Sequence, residues 1–221
     1  MSEILDQLPR LDWDDFQAAA QLTQTALHDL VSTPGELQRL LYRVESDNAL
    51  LGMSERLKLD DKIVLYEALE DRGFRLRLHI SKNLAREVPH DHRFHISVRI
   101  LTGAYYHKLY APAVDERETP VPLFIRDERA GASYTMHHTL VESNTTAKGT
   151  MSLLLRGPTM KAKAKAVDRS TGTVWRKLGQ QDESVEHKAN VAMSLEDYRQ
   201  LRAHAELLLG WEPLQLFPSS A

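Results

Sequence analysis

The sequence has no cysteine among its 221 residues. That absence excludes a disulfide framework, a thiolate nucleophile and any thiolate-bound metal. Aromatic residues are sparse, at 7%, and no apolar run approaches the length of a membrane-crossing helix. Charge of one sign is also lacking. The formal net charge is −3 with both signs interspersed, so no basic surface points to nucleic acid or to an anionic membrane. The first residues, MSEILDQLPRLDWDD, are acidic and lack the basic and apolar regions of a secretory signal. The expectation is a soluble cytoplasmic protein without nucleic-acid or membrane partners. Apolar content of 42% suffices for a sizeable core.

The most informative stretch is Val88 to Tyr110, VPHDHRFHISVRILTGAYYHKLY. Side chains two apart on a strand share a face. One face then carries His90, His92, Phe94, Ile96, Val98 and Ile100. The other carries Asp91, Arg93, His95, Ser97, Arg99 and Leu101 and is mostly polar, the pattern of a half-buried strand. Thr102-Gly103 reads as a two-residue hairpin into a second strand, Ala104 to Tyr110.

On both sides of this stretch the period changes. Residues 1–60 read as helical, with Trp13, Phe16, Ala20, Thr23, Leu27 and Leu30 on one face. Thr33-Pro34-Gly35-Glu36 reads as a helix start with Thr33 as cap. Phe74, Leu76, Leu78 and Ile80 then alternate with Arg75, Arg77 and His79, which places His79 on a solvated face. A loop, Asn83 to Glu87, leads to the histidines. After a charged run at Asp115 to Glu118 come a short strand, Val121 to Ile125, and a longer one, Ser133 to Ser143. On the latter, Tyr134, Met136, His138, Leu140 and Glu142 share a face, so His138 is expected inside and His137 outside. Thr150 to Arg156 is another strand. Lys161, Lys163 and Lys165 alternate with alanines as a solvated edge. Gln180 to Lys188 reads as a polar loop, and Ser194-Leu195-Glu196-Asp197 opens a last helix that ends at Gly210.

The stretch around His90-Asp91-His92, with the apolar strand and Gly103 that follow, resembles the first motif of the cupin superfamily. More narrowly it resembles the cysteine-dioxygenase-like branch. The resemblance runs from Phe74 to Pro158, the middle third of the chain. It implies a mainly β fold, a cupin (jelly-roll-like) β-barrel over residues 61–190. A helical extension over 1–60 would pack on the barrel, and 191–221 would supply a C-terminal helix and tail. It also implies a metal held by His90, His92 and, from the second motif, His138, with His137 or His95 as the alternative third ligand. Many cupins add a glutamate soon after H-x-H; here those positions are Ile96 and Ser97. Glu142 is a poor substitute, because it lies four residues from His138, about 13 Å along an extended strand.

Ferrous iron is the metal the branch implies, and imidazole donors also admit nickel, copper, manganese or zinc. The implied activity is that of a non-haem iron oxygenase acting on a small molecule and dioxygen. A cupin isomerase or decarboxylase using the metal as a Lewis acid, or a non-catalytic binding cupin, is the alternative. A homodimer is expected from the family habit. The sequence departs from thiol dioxygenases in three places. No arginine lies within Tyr66 to Leu69, Leu154 stands where a histidine is expected, and Arg156 stands where a tyrosine is expected. Arg156 could therefore clamp an anionic substrate through its planar fork. Tyr105 and His107 share the inward face of the second strand. His107 pairs with Val98 across the expected hairpin, about 20 Å along the strand from His92, and reads as an outer residue of the site.

Overall fold

The computed structural model describes residues 4–68, 73–82, 88–111, 121–168, 170–177 and 183–212. Residues 70–72, whose Glu70-Asp71-Arg72 reads as a turn ahead of Gly73, the loop Asn83–Glu87, the charged run Asp115–Glu118 and the tail after Pro213 lie outside them. After a short 3-10 helix, Leu5–Arg10, come the helices α1 (Phe16–Ser32), α2 (Glu36–Val44) and α3 (Asn48–Gly52). The chain then runs through β1 (Glu55–Arg56), β2 (Asp60–Glu67), β3 (Arg75–Ser81), β4 (Ile96–Thr102), β5 (Ala104–Tyr110) and β6 (Pro122–Arg129). It continues with β7 (Ser133–Met136), β8 (Val141–Thr146), β9 (Met151–Arg156), β10 (Ala164–Val167) and β11 (Val174–Lys177). Two helices, α4 (Val185–Val191) and α5 (Leu195–Leu209), follow.

The helical opening follows from local chemistry. The Asp15 carboxylate caps α1 by accepting from the backbone of Ala18, and Ala19, Thr23, Ala26, Leu27 and Leu30 form its buried stripe. Thr33 does not cap the next helix. It ends α1 in an extended conformation, as the residue before a proline favours, and α2 starts at Gly35, whose φ is +74°. Helix gives way at Gly52 rather than at residue 60, and β1 and the start of β2 occupy the difference. The expected polar loop over Gln180 to Lys188 contains the first turn of α4, capped by Ser184. At α5, Ser194 and Asp197 form a reciprocal capping box, and Gly210 ends the helix at φ +66°.

The strands pair antiparallel in a six-stranded sheet of order β1-β2-β3-β9-β4-β7, a three-stranded sheet β6-β5-β8 and a ribbon β10-β11. The architecture is mainly β and jelly-roll-like, with helices on one side. One core joins α1, α2 and α5 to the outer face of the large sheet through Leu27, Leu41, Ile63, Leu76, Leu78, Leu153, Leu155 and Tyr198. A second core lies between the sheets: Ile96, Val98 and Ile100 of β4 with Tyr105, Tyr134 and Met136.

Three strand-level expectations need correction. First, β4 and β5 do not form a hairpin. Each joins a different sheet, and Thr102-Gly103 is the corner between them. Second, Ser133 to Ser143 is not one strand. It breaks at residues 137–140, so β7 belongs to the large sheet and β8 to the small one. Strand parity restarts at the break. Third, the polar face of β4 is covered. The Ser97 hydroxyl is buried 2.6 Å from the Thr23 hydroxyl of α1, and Gln24 donates to Thr135 Oγ1 at 2.9 Å.

The corner at Gly103 imposes a testable constraint. Its φ is +72°, and a Cβ there would lie 2.4 Å from the Thr150 hydroxyl and 3.0 Å from the Thr150 Cα. Gly103→Ala meets both left-handed strain and a clash. It should lower unfolding free energy by about 1–3 kcal/mol in urea titrations, the usual cost of such strain.

Candidate metal centre

Two groups of potential metal donors occur among the described residues, and neither is the set expected from the sequence. His90, His92 and Glu142 form one. His95, His137 and His138 form the other. Within each group the donor atoms lie within 4.8 Å of one another. His138 therefore does not share a group with His90 and His92. The break before β8 explains this: it sends His138 to the side of His95 and turns Glu142 towards His90 and His92. The expected 13 Å separation assumed an unbroken strand.

The segment carrying the first group is held by its backbone. His90 exchanges backbone hydrogen bonds with Glu142 at 2.8 and 2.9 Å. The Asp91 carboxylate between the histidines accepts from the backbone of Lys165 at 2.7 Å and pairs with Lys161 Nζ at 2.6 Å. Lys161 also donates to the His138 carbonyl at 3.1 Å. Lys161 is thus engaged with the site, not on a solvated edge.

Glu142 is 2% exposed and is surrounded by donors. His92 Nε2 lies 2.7 Å from its Oε1, and His107 Nε2 lies 2.7 Å from its Oε2. Asn144 donates to Oε2 at 3.1 Å. Burial works against ionisation of this carboxyl. The contacts from His107 and His92, with the charges of His92 and His90, outweigh burial and hold it well below the usual carboxylate range. His107 thus reaches the same carboxylate as His92. The 20 Å estimate failed because β5 is not the hairpin partner of β4; it crosses to the sheet that contains Glu142.

The donor set fits a divalent first-row metal. His90 Nδ1 lies 2.9 Å from the Val88 carbonyl. A carbonyl only accepts, so Nδ1 carries the proton and Nε2 presents its lone pair, the usual arrangement of a metal-bound histidine. His107 and Asn144 fix the second carboxylate oxygen in the same supporting way.

The group opens on a cavity of about 970 Å³ whose lining includes Arg75, Arg77, His79, Phe94, Tyr105, Tyr134, Leu154 and Arg156. Sequence parity placed His79 on a solvated face, but that face of β3 looks into the cavity because its opposite face packs on the helices. Burial, then the charges of Lys62 and Arg77, push His79 well below the ordinary histidine value. Tyr105 is buried, its hydroxyl 2.5 Å from that of Ser152. Burial, opposed by that contact, raises its pKa to about 12. Arg156 lies over the Phe94 ring, 4.7 Å from the centroid. Burial, then repulsion from Arg75 and Arg77, brings its pKa to about 9, so it stays cationic at neutral pH.

The second group lies against α1, with Phe16 5.1 Å from the His95 ring and 5.2 Å from that of His137. His95, expected outward, is 2% exposed because α1 covers that face. Its Nδ1 accepts from the His138 backbone at 3.2 Å.

No protein-family model matches the sequence, and no curated protein matches it. Among solved structures, the chain is similar to an RmlC-like cupin from Shewanella frigidimarina NCIMB 400 (12% identity, TM-score 0.38, 49% of this chain and 85% of that one). It is also similar to KdgF from Halomonas sp. (14% identity, TM-score 0.35, 47% and 86%). A third is Streptomyces PAC13, solved with uridine (10% identity, TM-score 0.36, 52% and 83%). These likenesses span about half of this chain. No helix among the described residues is long and apolar enough to cross a membrane.

His95 supplies a pH test. Burial, then the charges of His137 and His138, lower its pKa from 6.5 to about 4. The unfolded chain therefore binds a proton here more readily than the folded one. The contribution to stability is complete above about 6.5 and declines as pH falls towards 4. Urea midpoints measured from pH 7 to 4 should fall through this window, and the fall should be shallower in His95→Gln.

Proposed function

We propose that the chain is a metal-dependent cupin oxygenase that uses dioxygen on a small molecule, with ferrous iron held by His90, His92 and Glu142. The observation that carries this reading is the convergence of two imidazoles and one buried carboxylate in the wall of a cavity of about 970 Å³. Two histidines and a carboxylate with open positions are the donor set of non-haem iron oxygenases. A ferrous ion in such a set supplies the activation of dioxygen that the side chains cannot perform themselves.

The protein's own part is positioning and charge. His90 enters with its ligating nitrogen selected by the Val88 carbonyl. His92 Nε2 and Glu142 Oε1, in contact at 2.7 Å, would both serve as donors to the metal. His107 and Asn144 hold the outer oxygen of Glu142 and keep the carboxylate oriented. Tyr105 stays protonated at neutral pH and, tied to Ser152, gives the cavity wall a fixed hydroxyl. Arg156, backed by Phe94, offers a planar guanidinium to an anionic substrate. Tyr105, His107 and Arg156 are thus the residues assigned to the reaction beside the three ligands.

Metal content separates this ligand set from the one expected from the sequence. After anaerobic loading with ferrous iron, wild type and His138→Ala should each retain about one iron per chain. His92→Ala and Glu142→Gln should lose most of it, because deleting one of three donors weakens a site more than the 10–100-fold typical of an outer-shell change. Retention in Glu142→Gln with loss in His138→Ala would return the third position to histidine. Turnover of substrate without oxygen consumption would replace the oxygenase with Lewis-acid chemistry.

A further inference from the structure

The two faces of β3 differ completely. Leu76, Leu78 and Ile80 pack into the helical core, and Arg75, Arg77 and His79 line the cavity. On the neighbouring strand β9, Leu153 and Leu155 join the same core, and Arg156 faces the cavity. The register sets Arg75 directly opposite Arg156 and Arg77 opposite Leu154. Three guanidinium side chains therefore project from adjacent positions of one wall.

Like charges directly opposite one another on a sheet destabilise it. Only Arg75 is answered: its guanidinium donates to Glu67 at 2.6 Å. Arg77 and Arg156 have no hydrogen-bond or salt-bridge partner among the described residues, and the Nε of each is buried without a partner. Glu55, Glu67 and Asp60 act on Arg77 only at longer range. The neighbouring His79 is held neutral and adds no compensating group. Two part-buried guanidiniums, Arg156 with only the Phe94 ring beside it, thus lack an ion-pair partner in a cavity that contains the His90–His92–Glu142 group. A buried charge without its partner destabilises the folded chain, and a bound anion removes that penalty.

We propose that this cavity takes a small molecule with two negative charges, a dicarboxylate or a phosphomonoester, held by Arg77 and Arg156. The proposal rests on the reading of this cavity as the substrate site and names the class of substrate. The planar forks of the two arginines match carboxylate and phosphate oxygens alike. Arg156, stacked on Phe94 two residues beyond His92, holds the charge nearer the metal group. Arg77, two residues along β3 from the Arg75–Arg156 pair, holds the second. Two guanidiniums without an ion-pair partner call for two negative charges, and a monoanion leaves one of them unpaired.

The test is calorimetric titration of the full chain, stripped of metal by a chelator, at low ionic strength. The probes are sodium succinate, inorganic phosphate and sodium acetate. At least one dianion should bind tenfold or more tightly than acetate, and the better of the two tells whether paired carboxylates or a phosphoryl group is the preferred chemistry. Arg77→Gln and Arg156→Gln should each weaken that binding at least tenfold. Arg77→Met, which removes an uncompensated buried charge, should melt at or above the wild-type temperature without ligand, so that lost binding is not lost folding. Equal affinity for acetate and both dianions, or unchanged dianion affinity in both glutamine variants, would overturn the proposal. Because no metal is present, failure of the iron assignment leaves this result untouched, and its failure leaves the iron assignment standing.

Discussion

One buried carboxylate organises the site. Glu142 sits at 2% exposure with imidazoles at both of its oxygens, and it keeps its charge there because those contacts outweigh the cost of burial. The backbone of the same residue exchanges two hydrogen bonds with His90. One residue therefore fixes both the strand-to-loop register and the donor geometry. If Glu142 were neutral or absent, three imidazoles and the arginine wall would face each other with no buried anion between them. The elements behind the site serve this arrangement: α1 covers the outer face of β4, and the ribbon β10-β11 braces Asp91.

The remaining wall has the opposite character. Around the donors the charges are paired within about 3 Å, whereas Arg77 and Arg156 line the cavity without an ion-pair partner, Arg156 against the Phe94 ring. On the proposed reading such a cavity would select by charge before it selects by shape, since a neutral molecule would displace water from the guanidiniums without replacing its hydrogen bonds. The metal donors and the cationic wall come from different strands, so their separation is set by sheet pairing and not by a flexible loop.

Much of the framework was legible in the sequence because periodicity reports burial. The stripe Thr23, Leu27, Leu30, the alternation Leu76, Leu78, Ile80 and the cap at Ser194 all follow local rules. His90 and His92 were read as sharing a face at the end of the apolar strand, although both precede β4, which starts at Ile96. What stayed hidden depended on which sheet each strand joined. Parity read through Ser133 to Ser143 set His138 inward, but parity holds only along an unbroken strand. The eleven-residue length of that run, about twice the usual strand, was the available signal of a break. His95 and His79 were placed on outward faces for a related reason. Alternation says that two faces differ, not that the polar one meets water. Here both polar faces are covered, one by α1 and the other by the opposite sheet.

The order of the large sheet has a consequence in time. Strand β9 lies between β3 and β4, and Arg75 meets Arg156 across about 80 residues of chain. Contacts between such distant segments must wait for most of the loop entropy to be lost, which makes folding slow for a chain of this size. The cavity wall and the carboxylate-imidazole cluster both depend on these late pairings. A metal ion bound as proposed would therefore find no assembled donor set on the nascent chain and would act after closure, as a brake on unfolding.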